Sequence, residues 1–163
     1  MWEVTERIVV GAPPEQVWAV VTDVSGHAEL AGSGEIRALR LARRVGLGAT
    51  WEADIEVPGL DEPFVSRSEV VVFDEPSEFS WTSVPRPIVP GEPRSTPGIR
   101  WWFDLAPAEE GGTGVEHRVL VTPPEVGAEE MAEFFEETNR VEGIRAGMQV
   151  TLERLKALVE RAG

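Results

Sequence analysis

Apolar and polar residues alternate through most of the first 122 residues, which is the period-2 pattern of strands with one buried face. The clearest case is residues 51–57, where every second residue is apolar and the residues between are acidic. Turn-forming residues separate the alternating stretches. The pattern predicts seven strands, over residues 2–10, from 36 to the basic pair at 43–44, and over 51–57, 64–73, 78–84, 99–106 and 115–122.

Helical spacing replaces alternation in two parts of the chain. After Pro13 and Pro14, apolar residues of segment 15–24 share one face, and residues 27–31 form a second short helix. From Ala128 to the C-terminus, apolar residues recur every three or four positions, which predicts one long helix of up to ~50 Å. Gly143 is the expected position of a kink or of a split in that helix.

Two features of the sheet region stay open. Arg67 and Glu69 share one face of the fourth strand, and as an inward ion pair they would lose several kcal/mol per ion in desolvation. The opposite parity, with Ser66 and Ser68 inward, costs less, and the apolar run 70–73 indicates a bulge.

The Pro-rich segment 85–98 is a surface insertion, a lid over a binding site or a dimer contact.

Composition narrows the classes of function. The 163 residues fit a single domain over 1–163, and 15 basic against 29 acidic residues give a net charge of −14. Nucleic acid and anionic membranes bind through clustered Lys and Arg, so neither is an expected partner. No apolar run approaches the ~20 residues that cross a bilayer and no targeting segment is recognisable, so we expect no membrane insertion and a cytoplasmic location.

Metal and cofactor chemistry has little support in the sequence. The chain has no cysteine and only two histidines, which excludes a Cys-ligated zinc and a multi-histidine centre. None of the common nucleotide-, calcium- or zinc-binding motifs is present, nor is the serine-hydrolase motif. We therefore expect no metal and no cofactor.

His117 is the best candidate for polar chemistry. Its parity with Val115 and Val119 places it on the inward face of the seventh strand, where a histidine can act as a general acid or base or bind a ligand. The alternative is a core histidine with an ordinary hydrogen-bond partner. His27 lies near the pair of short helices, and we expect it to be a surface residue.

A set of aromatic and apolar residues shares the inward face of the predicted sheet or the facing side of the long helix. Ordinary core packing explains any one of them, whereas a seven-stranded curled sheet closed by one helix is hard to fill with side chains alone. With His117, the residues predicted to contact a ligand are Trp51, Ile55, Phe79, Trp81, Trp101, Phe103, Phe135 and Met148.

The order of elements and several segments resemble the START/Bet v 1-like (SRPBCC) superfamily, within it the polyketide cyclase/dehydrase-type bacterial branch. The segments are VTERIVVGAPPEQVWAVVTDVSGHAEL, GLGATWEADIEV, SEVVVFDEPSEFSW, WWFDLAPAEEGGTGVEHRVLV and GMQVTLERLKALVERAG. The resemblance implies an α+β helix-grip fold, in which a curved antiparallel sheet of about seven strands wraps a long C-terminal helix, with two short helices between the first two strands. It also implies an internal cavity between sheet and helix.

Three functions are compatible with this resemblance, because one fold hosts many activities. The leading one is binding of an apolar or aromatic, lipid- or polyketide-like small molecule in the cavity. The second is a polyketide cyclase or dehydratase in which His117 would move protons. The third is a protein-interaction module. The expected partner is thus an apolar small molecule, with a homodimer left open.

Overall fold

The computed structural model describes residues 1–41, 44–86 and 89–162, so the predicted strand end at residue 43 lies outside the described part. The strands are β1 (Trp2–Val10), β2 (Ile36–Leu41), β3 (Thr50–Ile55), β4 (Phe64–Asp74), β5 (Glu78–Pro85), β6 (Gly98–Pro107) and β7 (Thr113–Thr122). The helices are α1 (Pro14–Val21), α2 (His27–Leu30), α3 (Ala128–Glu137) and α4 (Arg140–Ala162). This order confirms the predicted helix-grip fold.

The strands form one antiparallel sheet in the order β1-β7-β6-β5-β4-β3-β2. Strands β2 to β7 pair with their neighbours in sequence, whereas β1 pairs with β7, with Trp2 opposite Val121 and Val10 opposite Thr113. Alternation is most regular in β7, where every second side chain from Thr113 to Val121 is buried. The curved sheet therefore presents one continuous inward face to α4.

Strand β4 adopts the parity that keeps its charged side chains out of the core. Ser66 and Ser68 are buried on the inward face, while Arg67 and Glu69 are exposed on the outer face. The pairing of β4 with β5 shifts register between Val70 and Val72, which is the bulge that the apolar run indicated. Both charges thus remain in water.

The core divides into two clusters along the inward face. The larger one lies under α1 and contains Trp18, Phe79 and Leu155, and the smaller one contains Val119, Phe135 and Met148. Helix α4 contributes to both, and it is also tied to β1 through an ion pair of 2.9 Å between Arg145 and Glu6. A space remains between the two clusters, and the candidate site occupies it.

The C-terminal helix is interrupted at Asn139, so the expected break at Gly143 is wrong. Asn139 has a positive φ of 50°, a conformation that asparagine tolerates better than most residues. Thr138 ends α3, and its backbone N–H still donates to the Phe134 carbonyl at 3.0 Å. Gly143 lies inside α4 with regular geometry, because one glycine does not break a helix that tertiary packing supports.

Gly32 is held against α4 by a close backbone contact. Its N–H donates to Oγ1 of Thr151 at 2.9 Å, and that hydroxyl donates to the Gly147 carbonyl at 2.9 Å. A Cβ at Gly32 would lie 2.3 Å from the carbonyl oxygen of Gly147 and 2.8 Å from the Thr151 nitrogen. Both are helix backbone atoms, which have little freedom to move.

Gly32→Ala is therefore expected to lower the free energy of unfolding by about 1–3 kcal/mol or more. The matched variant Gly143→Ala adds the same methyl group where no described atom outside its own stretch of helix lies within 4 Å. It should raise stability by up to about 1 kcal/mol through helix propensity. Urea unfolding midpoints measure both changes. If both variants changed the free energy of unfolding in the same direction, the contact assigned between Gly32 and α4 would be wrong.

Candidate functional site

A pocket of about 510 Å³ lies between the inward face of strands β3 to β7 and helices α3 and α4. Its walls are mostly aromatic and aliphatic. Loops and α2 complete it at one end, with Leu30 and Gly32 on one side and Pro124 and Val126 on the other. The sheet supplies a nearly continuous aromatic wall, and α4 supplies the opposite side through Ile144, Gly147 and Met148.

Most of the residues predicted to contact a ligand meet at this pocket. Those on its wall are Trp51, Ile55, Trp81, Trp101, Phe103, His117, Phe135 and Met148. Phe79 is not on the wall: it is fully buried in the larger core cluster, where its ring centroid lies 6.2 Å from that of Trp18 and 6.1 Å from that of Phe73. Strand parity correctly placed Phe79 on the inward face of the sheet. It could not show that Phe79 lies at the end of the sheet that α1 covers.

Trp81 lies at the centre of the aromatic wall. Its ring centroid is 5.0 Å from Phe79, 5.9 Å from Phe103 and 6.4 Å from Trp101, with Trp101 stacked at an interplanar angle of 17°. The ring centroid of Trp51, on β3 two strands away, lies 6.3 Å from that of Trp81. Aromatic contacts at these distances stabilise one another and hold the wall in a fixed arrangement.

His117 is buried within this wall, with 4% of its surface exposed. Its ring stacks on Phe103 at 4.1 Å and on Trp101 at 5.4 Å, and its Nδ1 lies 2.8 Å from the carbonyl oxygen of Trp102. A carbonyl only accepts, so Nδ1 carries the proton. Burial lowers the pKa of His117 to about 4, and the ring is neutral at pH 7.

His27 is also buried, so the expectation of a surface residue is wrong. It is 7% exposed and packs on Trp81 at 5.3 Å, with its Nε2 2.8 Å from the Val21 carbonyl oxygen. Burial lowers the pKa of this ring as well. Val24, His27 and Leu30 are all buried and recur every three residues, a spacing that could have indicated a buried position for His27.

Few other polar groups reach the pocket. Ser66, Ser68 and Ser83 line it from β4 and β5. Arg140, the first residue of α4, pairs with Glu35 at 2.7 Å, and both side chains are largely buried. The pair neutralises the arginine. The walls thus combine aromatic surface with hydroxyls, two neutral imidazoles, one closed ion pair and the carboxylate of Glu130.

The second half of the Pro-rich segment contributes to the pocket. Ser95 and Pro97 lie on its wall, whereas residues 90–93 are exposed and residues 87–88 are outside the described part. Arg94 fixes the segment to the loop after β7, since its side chain donates to the Pro123 carbonyl at 3.0 Å and its backbone N–H to Glu125 at 2.6 Å. The segment is therefore more than a surface insertion.

Among the described residues, no three or more His, Asp or Glu side chains lie close enough together to hold a metal ion. No helix in residues 1–41, 44–86 and 89–162 is both long and apolar enough to cross a membrane.

Comparison with known families gives one match. The model of a family described as polyketide cyclase / dehydrase and lipid transport matches residues 1–160. No curated protein matches the chain.

Solved structures share the fold at low sequence identity. The di-domain ARO/CYC StfQ from the steffimycin biosynthetic pathway is 13% identical, with 98% of this chain and 51% of that chain covered and a TM-score of 0.68. Norcoclaurine synthase from Thalictrum flavum is 13% identical, with 97% and 86% covered and a TM-score of 0.64. A START superfamily protein from Mycobacterium smegmatis is 16% identical, with 99% of both chains covered and a TM-score of 0.59.

Proposed function

Because the chain belongs to the family described as polyketide cyclase / dehydrase and lipid transport, we propose that it binds an apolar or aromatic small molecule. The binding site is the pocket between the sheet and α4. The observation that carries the proposal is the aromatic wall of Trp51, Trp81 and Trp101, which faces Met148 and Ile144 across open space.

The size and surface of the pocket support this function. A volume of about 510 Å³ falls within the ~300–1,000 Å³ typical of small-molecule sites. Apolar walls next to water are unfavourable, and a ligand that covers them gains roughly 25 cal/mol per Å² of apolar surface removed from water. A flat, ring-containing molecule also suits the stacked indoles, because offset stacking adds to the gain from burial.

Ligand binding is expected to raise the melting temperature. A compound that binds only the folded state, present at about 100 times its Kd, adds about 2.7 kcal/mol of stability. For a domain of this size that corresponds to roughly 5–11 °C. The measurement is a thermal-shift screen over fatty acids, sterols, flavonoids and aromatic polyketides, with tryptophan emission as the second readout because three indoles line the site.

Two variants of α4 provide the control. Ile144→Trp fills the pocket and should abolish the shift, whereas Leu158→Trp places the same side chain at an exposed position and should preserve it. Silence of the whole screen, together with the absence of any co-purified ligand in native mass spectrometry, would contradict the proposal.

A cyclase or dehydratase activity is the second candidate, and the observation in its favour is His117 on the pocket wall. A pKa of about 4 leaves His117 neutral at pH 7 but makes it a weak base, since general bases act best with a pKa near the working pH. Binding is therefore ranked first. Turnover of a polyketide-like substrate that disappears in His117→Gln while binding persists would reverse this ranking.

A further inference from the structure

Each buried histidine uses one ring nitrogen on a backbone carbonyl, and its other ring nitrogen has no partner among the described residues. In His117, Nδ1 donates to Trp102, and in His27, Nε2 donates to Val21. Both rings are neutral at pH 7, so Nε2 of His117 and Nδ1 of His27 each hold a lone pair. The two backbone carbonyls thus fix the tautomer of both rings.

Both histidines line the pocket, and this assigns the two lone pairs to its open space. In the part of the chain that the structure describes, neither nitrogen has a hydrogen-bond partner. Among the described residues, Nε of Arg118 is the single side-chain atom that is both fully buried and without a partner. The two imidazole nitrogens are therefore not fully buried. Because both residues line the pocket, the accessible space that reaches these nitrogens is the pocket itself.

The described residues of the pocket offer no free cation to an anionic ligand. Of the described residues that line it, Arg140 is the only arginine or lysine, and Glu35 neutralises it with two hydrogen bonds. Glu130 adds a further carboxylate to the lining. A carboxylate ligand would have to lose its hydration without a compensating charge, which is unfavourable in an apolar site.

Building on the proposed function, we propose that the ligand is a neutral ring compound with hydroxyl groups, which donate hydrogen bonds to Nε2 of His117 and to Nδ1 of His27. The rings of Trp81 and Phe103 lie between the two histidines, so the hydroxyls belong at separate positions of a flat ring system. The serine hydroxyls and indole N–H groups of the wall can donate, and they suit ligand carbonyls. Among the described residues of the aromatic wall itself, the two imidazole nitrogens are the acceptors that a ligand donor would satisfy.

The physical basis is the cost of burying an acceptor without a donor. A ligand that lacks hydroxyls displaces water from the imidazole nitrogens and leaves their lone pairs unsatisfied. Sites built to hydrogen-bond a hydroxyl reject analogues without it for this reason. Methylation of the ligand hydroxyls, which keeps the oxygens but removes the donors, is therefore expected to weaken binding roughly tenfold or more.

The test compares three probes at pH 7.5 by titration of tryptophan emission and by calorimetry. The probes are 2,7-dihydroxynaphthalene, 2,7-dimethoxynaphthalene and naphthalene-2-carboxylate. We expect the diol to bind most tightly, the dimethyl ether at least roughly tenfold more weakly and the carboxylate most weakly.

Variants of the histidines locate the effect. His117→Phe keeps the ring that stacks on Phe103 but removes the acceptor. The ratio of diol affinity to dimethyl ether affinity should fall, because His27 is then the single imidazole acceptor left for the two hydroxyls. Binding of the dimethyl ether is the internal control, because it should persist in the variant. If His117→Phe does not fold, His27→Phe and His117→Asn replace it in the same comparison.

The possible outcomes distinguish the hydroxyl inference from the proposed binding function. Equal binding of diol and dimethyl ether overturns the hydroxyl inference and leaves the proposed function standing. If every histidine variant keeps the full preference for the diol, the hydroxyl inference is wrong. It is also wrong if the carboxylate binds as tightly as the diol. Binding of none of the probes, together with a silent thermal-shift screen, overturns the proposed function itself.

Discussion

Lowering the pH from 7.5 to 5 is expected to remove about 2 kcal/mol of stability through His117 alone. In the folded protein this ring has a pKa of about 4, against about 6.5 in the unfolded chain. Between these values the unfolded chain binds a proton that the folded protein does not. Stability is therefore full above pH 6.5 and falls as the pH drops toward 4, by about 3 kcal/mol in total.

His27 adds to this loss in the same direction, since burial lowers its pKa too. The two rings reinforce each other, because charge on His27 further lowers the pKa of His117. Carboxylates with ordinary pKa values titrate mostly below pH 5. Burial raises the pKa of Asp104, so this carboxylate takes up a proton more readily in the folded protein and opposes the predicted loss.

Denaturant unfolding at a series of pH values measures this slope. These two histidines are the only ones in the chain, so a variant without them separates their share of the slope from that of Asp104. The double variant His27→Gln/His117→Gln retains amide donors for the two backbone carbonyls and does not titrate. It should show little dependence between pH 7.5 and 5, and an unchanged slope would show that the histidines are not its origin.

Trp81→Ala is expected to cost roughly 3–5 kcal/mol, the range for large aromatic residues in cores. The side chain is 8% exposed and contacts the rings of His27, Phe79 and Phe103, so its removal leaves the centre of the wall unsupported. The loss corresponds to a fall in melting temperature of roughly 6–20 °C.

Trp102→Ala is the matched control, since Trp102 is 7% exposed but lies on the outer face of the sheet. Arg100 and Arg118 cover its ring at 4.4 and 4.1 Å, and after truncation their guanidinium groups return to water. Each contact of this kind contributes about 0.5–1 kcal/mol at exposed sites, so we expect a smaller loss. Equal losses in both variants would contradict a central role for Trp81.

The sheet could be predicted from the sequence because its signal is local. Alternation in segments such as 51–57 and 115–122 fixes which side chains share a face, and β7 follows that parity along its whole length. The bulge near Val70 was also visible in the sequence, because a run of four apolar residues interrupts strict alternation. The order of helices and strands then allowed a single packing arrangement.

The break in the C-terminal helix could not be predicted in the same way. Glycine is the residue expected at a break, yet Gly143 continues the helix and Asn139 ends it. The ion pair between Arg140 and Glu35 links the start of α4 to residues about 100 positions earlier in the chain. Contacts over that separation override local propensity and leave no periodic signal.

The candidate site shows the same limit. Parity placed Phe79 and Trp81 on one face, but α1 covers Phe79 while Trp81 borders the pocket. His27 becomes buried only because α2 folds over the sheet and brings the ring against Trp81, 54 residues later. Period-2 arguments give the face of a strand, whereas position along the sheet depends on tertiary contacts.

The pairing of β1 with β7 has a consequence for synthesis on the ribosome. In the order of the sheet, β1 has β7 as its single neighbour, and the partner of Val10 is Thr113. At ~5–20 residues per second, the N-terminal strand waits roughly 5–20 s before its partner has been made. During that interval the strand that carries Val4, Ile8 and Val10 lacks its partner in the sheet, so these apolar side chains stay available to a chaperone.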